Sequence, residues 1–303
     1  MLNISSQKEE VPYQENLKKL NLNYLKLVEE NEDSLNYLGD WKHDVEDLAK
    51  KFRRARPYES VVIDNFLNKE YANKIYDTFP SDFENWHKYE NPIEVKYALD
   101  KIDLLSEDIQ KYFYLLSSKP VRNLISNISG VNDLECDEYL HGAGLHAHPR
   151  HGRLNIHLDY EKHPHSGKER RINIILFMSK NWKKEWNGAN ELWNSTVTKC
   201  IKKTDVKFNR AIIFKTNDVS WHGLPEKLLC PENTYRKSIA YYYVTPLLYS
   251  KKSEDDYRKK ATFMKRPSDL YDAGINQLYK IRPFRRITND DLVKHVPLWT
   301  KES

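Results

Sequence analysis

Residues 153–160 place an imidazole and a carboxylate two positions apart in a segment whose pattern is typical of a β-strand. Apolar and polar residues alternate through the segment, and residues two apart in a strand face the same side. His157 and Asp159 therefore share one face. Two imidazoles and one carboxylate form the facial triad that binds non-haem Fe(II) and leaves coordination positions open. The segment supplies two of these ligands, so a second histidine must come from elsewhere in the chain.

His222 is the candidate for that second histidine, because it follows an apolar run, 210–214, and a turn-like stretch. Arg236 lies 14 residues further on and opens another strand-like segment, in which Ser238 shares its face. A planar guanidinium donates two parallel charge-assisted hydrogen bonds to a carboxylate and stays protonated. Arg236 is therefore the residue type that suits a buried carboxylate.

With these residues the chain resembles the 2-oxoglutarate- and Fe(II)-dependent dioxygenases, especially their prolyl-hydroxylase-like branch, over about residues 60–246. The resemblance implies an α+β fold with a double-stranded β-helix, or jelly-roll, core that helices buttress. It also implies that the iron is bound by His157, Asp159 and His222. Arg236 would hold the distal carboxylate of 2-oxoglutarate, and Ser238 would add a hydroxyl.

The stretch 181–193 looks like the tryptophan- and glycine-containing hairpin of this family. Relatives often carry paired glycines at the position where this chain reads Asn187, Gly188 and Ala189. The resemblance therefore leaves the geometry of this loop open while it leaves the iron ligands in place.

Four further residues are candidates for the site. Relatives often place a tyrosine against 2-oxoglutarate where this chain has Tyr139, which is equally an ordinary strand residue. Asn173 would need a partner if it faces the interior, so it is a candidate for the cofactor pocket. His148 and Arg150 lie in a loop-like segment with glycines and Pro149, where they would contact substrate at the barrel mouth or would simply be solvated.

A zinc site is the alternative for the histidines, seven of which fall between residues 141 and 165. His141, His146, His148 and His151 could form it, since imidazole suits zinc. Their Gly- and Pro-containing loop and the absence of nearby cysteine ligands disfavour this alternative.

Length and composition set the outer bounds. A chain of 303 residues with 39% hydrophobic content can bury a barrel core, and 31% charged residues give a polar surface. No run approaches the roughly 20 apolar residues that a membrane span needs, and the first ten residues lack an apolar signal region. Three cysteines without metal-type spacing indicate reduced thiols. We therefore expect a cytoplasmic protein with no membrane association.

The charge pattern disfavours nucleic acid as a partner. Forty-nine basic and 44 acidic residues give a net charge of only +5, unlike the strongly basic faces of nucleic-acid binders. In addition, demethylases of this superfamily usually carry an arginine six residues after the cofactor arginine, where this chain has Tyr242. A basic cluster near the C-terminus, from Lys259 to Arg286, is either a solvated helical face or a patch that guides an acidic or nucleic-acid partner.

We expect the chain to divide into three parts. Residues 1–56 would form an N-terminal helical extension, 57–250 the jelly-roll dioxygenase domain, and 251–303 a basic, partly helical tail packed on or beside the core. Asn68 is expected to cap a helix. Two further helices are expected from Ser106 and from Ser118, the second with Pro120 in its first turn.

The resemblance implies a hydroxylase that couples oxidative decarboxylation of 2-oxoglutarate to succinate with hydroxylation of an unactivated C–H bond, using Fe(II) and O2 with ascorbate as reductant. A carboxylate at Asp159 favours hydroxylation, since halogenating relatives replace it with a small residue. The substrate would be a prolyl or other amino-acid residue of a protein or peptide, or alternatively a small metabolite or free amino acid. A non-catalytic jelly-roll that binds a partner is the alternative from another functional class.

Overall fold

The computed structural model describes residues 20–28, 31–247, 256–276 and 287–288, and these ranges include five α-helices. They are α1 (Leu22–Val28), α2 (Val45–Arg54), α3 (Lys69–Asp77), α4 (Glu107–Ser117) and α5 (Lys119–Ser129), of which the last three alternate in the chain with the first strands. Short 3-10 helices span Glu32–Tyr37, Asp40–His43, Ile102–Leu104, Lys184–Trp186 and Pro267–Tyr271. Within these described ranges, no helix combines the length and the apolar character needed to cross a membrane.

The helix ends follow local sequence signals. The side chain of Asn68 accepts a hydrogen bond from the backbone N–H of Tyr71 at 2.8 Å, and Ser106 caps α4 in the same way. Ser118 precedes α5, and Gly130 ends it in the left-handed conformation that glycine adopts without strain. The three predicted helix starts are thus confirmed.

The described residues include fourteen strands. They are β1 (Ser60–Ile63), β2 (His87–Asn91), β3 (Glu94–Leu99), β4 (Glu135–Cys136), β5 (Gly144–His148), β6 (Arg153–Leu158), β7 (Glu169–Phe177), β8 (Asn190–Trp193), β9 (Cys200–Thr204), β10 (Arg210–Lys215), β11 (His222–Leu224), β12 (Arg236–Thr245), β13 (Thr262–Phe263) and β14 (Ile287–Thr288). Ten of them pair antiparallel in the order β1-β10-β7-β12-β5-β3-β6-β11-β8-β9. Of the other four, β2 pairs with β3, β4 with β12, β13 with β6, and β14 with β13. The sheet curls into a nearly closed, barrel-like jelly-roll with helices on one side, which confirms the predicted fold.

Alternation along the strands separates the outside of the barrel from its inside. On β7, Ile172, Ile174 and Leu176 join the large hydrophobic core, whereas Asn173 and Ile175 line a cavity inside the barrel. Because successive side chains in a strand point to opposite faces, the helices pack on one set and the cavity receives the other.

The N-terminal helices belong to this same hydrophobic core. Leu20, Trp41 and Phe52 are buried in one cluster with barrel residues such as Ile174 and Tyr241. The core therefore extends across the boundary expected at residue 56, and the N-terminal segment buttresses the barrel.

Asn209 ties the segment after β1 to the turn before β10. Its side-chain oxygen accepts a hydrogen bond from the backbone N–H of Leu67 at 2.9 Å, and its side-chain nitrogen donates to the carbonyl of Leu67 at 2.7 Å. Asn209 is buried and has a φ of 59°, a conformation that asparagine tolerates better than most residues.

Replacing Asn209 with glycine should destabilise the fold by about 2–4 kcal/mol. Glycine keeps the positive φ but leaves the buried N–H and C=O of Leu67 without partners. Asn233→Gly is the matched control, because Asn233 also has a positive φ, 60°, but is exposed. Urea unfolding monitored by tryptophan fluorescence measures both, and equal stabilities of the two variants would contradict the role of Asn209.

Candidate metal and cofactor site

Three side chains come together inside the barrel beside β6 and β11. His157 lies on β6, Asp159 directly follows that strand, and His222 begins β11 opposite His157. The Nε2 atoms of the two histidines each lie 3.6 Å from a different carboxylate oxygen of Asp159, and all three residues are buried. Throughout the part of the chain that the structure describes, this is the single group of three or more His, Cys, Asp or Glu with metal-binding geometry. The predicted triad therefore assembles.

The hydrogen bonds of the two imidazoles prepare them as metal ligands. The Nδ1 atom of His157 lies 2.9 Å from the carbonyl oxygen of Asn155, and that of His222 lies 2.8 Å from the carbonyl of Ser220. A carbonyl can only accept, so each Nδ1 carries the proton and each Nε2 keeps its lone pair. Burial, together with the neighbouring imidazole, lowers the pKa of His222 to about 4 and keeps it neutral. Two neutral nitrogens and one carboxylate fit Fe(II).

Asp159 is held ionised despite its burial. Burial alone would raise the pKa of Asp159, but Arg170 and the two imidazoles hold it well below its usual value. Arg170 Nη1 lies 3.3 Å from one carboxylate oxygen, and Asn173 Nδ2 donates to the other at 3.1 Å. Asn173 was expected in the cofactor pocket. It lines the cavity, and its amide nitrogen donates its hydrogen bond to the metal ligand Asp159.

Sequence reasoning missed Arg170. Its guanidinium is buried between the rings of Tyr160 and Tyr242, 3.5 and 3.4 Å from their centroids, and its Nη2 donates to the carbonyl of His141 at 3.1 Å. The one signal in the sequence is the pair Arg170 and Arg171 at the start of an otherwise apolar strand. Tyr242, on β12, thus stacks on the guanidinium of Arg170, which lies on the neighbouring strand β7.

Arg236 is a buried cation that has no acidic partner among the described residues. It is 1% exposed, its Nε donates to the carbonyl of Gly188 at 2.7 Å, and its Nη1 lies 3.4 Å from the hydroxyl of Ser238. Burial lowers the pKa of Arg236 to about 9. No carboxylate among the described residues forms an ion pair with it, so the site is suited to an anion from outside the chain.

The loop before β8 shows why one glycine is sufficient there. Asn187 adopts a φ of 63° and Gly188 a φ of 91°. A Cβ atom on Gly188 would lie 2.9 Å from Leu228 Cδ2 and 3.1 Å from Arg236 Cδ. Asparagine tolerates the first conformation, whereas the close approach to Arg236 requires glycine at the second.

A cavity of about 1120 Å³ contains both the triad and Arg236. His148 lines it directly across from Arg236 in the β5–β12 pairing. His148 is buried, and neither ring nitrogen has a hydrogen-bond partner among the described residues. Burial and the charge of Arg236 lower the pKa of His148, so the ring is neutral.

The loop expected around His148 is a strand instead. Residues 144–148 form β5, which pairs with β3 and β12. Gly144 serves this pairing, because a Cβ there would lie 2.4 Å from the carbonyl oxygen of Leu99. His141, His146, His148 and His151 do not form the alternative zinc cluster.

Tyr139 and Arg150, two of the candidate site residues, are not among the residues that line the cavity. The Asp137 carboxylate accepts hydrogen bonds from the N–H of Tyr139 and of His141, so the chain turns there and Tyr139 stacks on His165. Arg150 donates to the carbonyl of Cys230 at 2.8 Å. A contact of either residue with cofactor or substrate stays a prediction.

The basic segment near the C-terminus packs on the barrel beside the metal ligands. β13 pairs with β6, and the ring of Phe263 lies 5.4 Å from that of His157. Lys259 and Lys260 are exposed and line the cavity, and this part of the chain is not helical. Arg282, Arg285 and Arg286 of the same predicted cluster lie outside the described residues.

Arg258 of this segment connects the stretch of chain that carries Asp159 with the loop that leads to His222. Its Nε donates to the backbone carbonyl of Asp159 at 2.5 Å, and its Nη1 contacts the carboxylate of Asp218, four residues before His222, at 3.1 Å. The side chain thus fixes the backbone that carries the carboxylate ligand to the loop that leads into β11.

Comparisons with known proteins agree with this geometry. Residues 143–244 match the family model described as the 2OG-Fe(II) oxygenase superfamily. A prolyl hydroxylase from Trichoplax adhaerens, solved with a hypoxia inducible factor oxygen degradation domain peptide fragment, is 17% identical, and the match covers 72% of this chain and all of that one at a TM-score of 0.50. A prolyl-4-hydroxylase from Pseudomonas putida is 14% identical over 65% of this chain and 98% of its own, with a TM-score of 0.46. The comparison with curated proteins gave no match.

The fold is similar to that of a prolyl hydroxylase. Residues 143–244 match a 2-oxoglutarate- and Fe(II)-dependent oxygenase domain, which identifies a dioxygenase. Fe(II), 2-oxoglutarate and O2 are its cofactor and co-substrates, and the triad fits the metal.

Arg258→Ala should weaken Fe(II) binding about 10- to 100-fold, the usual effect of removing a group that orients a metal ligand. Arg210→Ala is the control, since Arg210 pairs with Asp64 at another position on the barrel. Anaerobic Fe(II) titration measures both dissociation constants. Equal affinities of the two variants would show that Arg258 does not position Asp159.

Proposed function

We propose that this dioxygenase is a hydroxylase, which couples the oxidative decarboxylation of 2-oxoglutarate to succinate with the hydroxylation of an unactivated C–H bond. The observation that carries the proposal is one cavity that contains both a buried metal triad and a buried arginine without an acidic partner. A metal site alone would suit many proteins, whereas the two together suit a dicarboxylate that is held beside a metal.

The residues of the chain bind and orient, and iron, when bound, supplies the activation of O2. His157, Asp159 and His222 would hold the metal. Arg236 would grip the distal carboxylate of 2-oxoglutarate with its guanidinium fork, and the Ser238 hydroxyl would add a hydrogen bond.

His148 is better placed for 2-oxoglutarate than for substrate. It is buried beside Arg236, and its neutral ring offers one donor and one acceptor without partners among the described residues. Asn190 lines the same cavity, and its buried side-chain nitrogen also lacks a partner there. Unpartnered buried polar atoms are costly, so a bound polar ligand would satisfy both.

For the substrate we propose a prolyl or other amino-acid residue within a peptide. The neighbour of similar fold from Trichoplax adhaerens was solved with a peptide fragment, which supports this choice. A free amino acid or another small metabolite is the second candidate, because a cavity of about 1120 Å³ is large enough to enclose one beside the co-substrate. A non-catalytic binding module would have no need for the intact triad and Arg236 together.

Purified protein should form succinate from 2-oxoglutarate when it is supplied with Fe(II), ascorbate and pools of peptides and metabolites. His222→Ala should abolish this formation, because two ligands cannot hold the metal in place. His43→Ala is the control and should keep full activity, since His43 is exposed and far in the chain from the cavity residues. Succinate is quantified by mass spectrometry.

A wild-type rate equal to that of His222→Ala under every pool would contradict the proposal. Stimulation by the peptide pool alone would support a peptide substrate, and stimulation by the metabolite pool alone would favour the small-molecule alternative.

A further inference from the structure

Of the buried charged side chains that line the cavity, Arg170 is the one whose charge the metal and 2-oxoglutarate would leave uncompensated. Lys96 and Glu94 form a buried ion pair at 2.9 Å and cancel each other. Fe(II) with Asp159 has a net charge of about +1, and 2-oxoglutarate with Arg236 about −1, so these four groups also cancel. The guanidinium of Arg170, which is buried with its side chain 1% exposed, remains as a net positive charge.

The cavity lining as a whole has the same sign. It contains six cationic side chains and four acidic ones: Lys96, Lys101, Arg170, Arg236, Lys259 and Lys260 against Glu84, Glu94, Asp100 and Asp159. Lys101, Lys259, Lys260 and Glu84 are exposed, and the buried part of the lining has the same excess, with Lys96, Arg170 and Arg236 against Glu94 and Asp159. Excess positive charge in a low-dielectric cavity attracts anions.

Arg170 and Arg236 serve different parts of this cavity. The ring of Tyr242 stacks on Arg170 and lies six residues beyond Arg236 on β12, about 20 Å at roughly 3.3 Å per residue. Lys259 and Lys260 lie at the same end of the cavity as Arg170. They follow Arg258, whose backbone carbonyl accepts a hydrogen bond from the N–H of Glu161 at 2.7 Å, and Glu161 is the neighbour of Tyr160, which stacks on Arg170. The Arg170 end is therefore separate from the end that suits the distal carboxylate of 2-oxoglutarate.

The guanidinium still has hydrogen-bonding capacity. Nη1 faces Asp159 and Nη2 donates to the carbonyl of His141, while the Nε of Arg170 has no partner among the described residues. An arginine has five N–H donors in a planar fork, which matches carboxylate and phosphate oxygens.

We infer that the substrate carries an anionic group, a carboxylate or a phosphate, that binds at Arg170 beside the metal triad. This inference rests on the proposed function, because it concerns the substrate of the same site. A peptide substrate would then present an acidic side chain or a free C-terminus, and a small-molecule substrate would be an acid or a phosphate ester.

Arg170 also contacts a metal ligand, so the test must separate anion binding from metal binding. Protein is first loaded with Mn(II) and N-oxalylglycine, an unreactive analogue of 2-oxoglutarate that occupies the Arg236 end. The loaded protein is then titrated calorimetrically with sodium acetate and, separately, with inorganic phosphate at constant ionic strength. Arg171→Gln is the matched control, because the Arg171 side chain pairs with Glu169 and does not line the cavity.

Wild-type protein should bind one of the two anions saturably, and Arg171→Gln should bind it equally well. Arg170→Gln should bind it at least about tenfold more weakly, which corresponds to about 1.4 kcal/mol. A preference for acetate would identify a carboxylic acid, and a preference for phosphate a phosphorylated substrate. Equal binding by Arg170→Gln and wild type, or no saturable binding by loaded wild type, would overturn the inference.

If Arg170→Gln does not fold, or does not bind Mn(II) and N-oxalylglycine, a measurement on the wild-type protein alone tests the inference. Arg170 Nη1 is 3.3 Å from Asp159, so an anion at Arg170 lies close to the metal. The ¹³C resonance of acetate or the ³¹P resonance of phosphate should relax much faster with Mn(II)-loaded than with Zn(II)-loaded protein, and equal relaxation would overturn the inference. If wild-type protein takes up neither Mn(II) nor the analogue, the proposed function fails and the inference with it, whereas normal loading without anion binding refutes only the inference.

Discussion

Asp159 must remain ionised while it is buried, and the arrangement around the metal site depends on this requirement. A carboxylate loses favourable hydration on burial, so it needs charged and hydrogen-bonding neighbours to stay deprotonated. Arg170 and Asn173 supply them from β7, the strand beside β12. Tyr160 and Tyr242 in turn support Arg170 by stacking on both faces of the guanidinium. Residues that never touch the metal thus determine whether the chain can hold one.

The two buried arginines illustrate how environment sets the role of one residue type. Arg170 is paired with a carboxylate of the chain, whereas Arg236 has neutral neighbours, the carbonyl of Gly188 and the hydroxyl of Ser238. Burial lowers the pKa of Arg236 to about 9, which shows the unfavourable free energy of an isolated buried cation. A bound dicarboxylate would relieve this cost, so the unliganded chain is prepared for its co-substrate.

Local patterns predicted the parts of the site that lie within one segment. Alternation with a period of two placed His157 beside Asp159 and Arg236 beside Ser238. Two helix starts have the side-chain caps of Asn68 and Ser106, whereas α5 begins after Ser118 with Pro120 in its first turn and without a side-chain cap. Contacts between distant segments were not predictable in this way. Arg258 lies 99 residues from Asp159, and no periodicity connects them. The strand expected at Tyr139 is a turn. The Asp137 carboxylate accepts hydrogen bonds from the backbone N–H groups of Tyr139 and His141 and holds the chain in that turn.

The most direct measurement of the central claim, that metal and 2-oxoglutarate share one cavity, is an anaerobic titration of 2-oxoglutarate into metal-free protein, Fe(II)-loaded protein and Fe(II)-loaded Arg236→Ala. Fe(II) should tighten 2-oxoglutarate binding at least about tenfold, because linked binding in one site is reciprocal. Arg236→Ala should weaken binding by about 2–5 kcal/mol, since the distal carboxylate would lose its buried partner. An affinity that depends on neither the metal nor Arg236 would contradict the account.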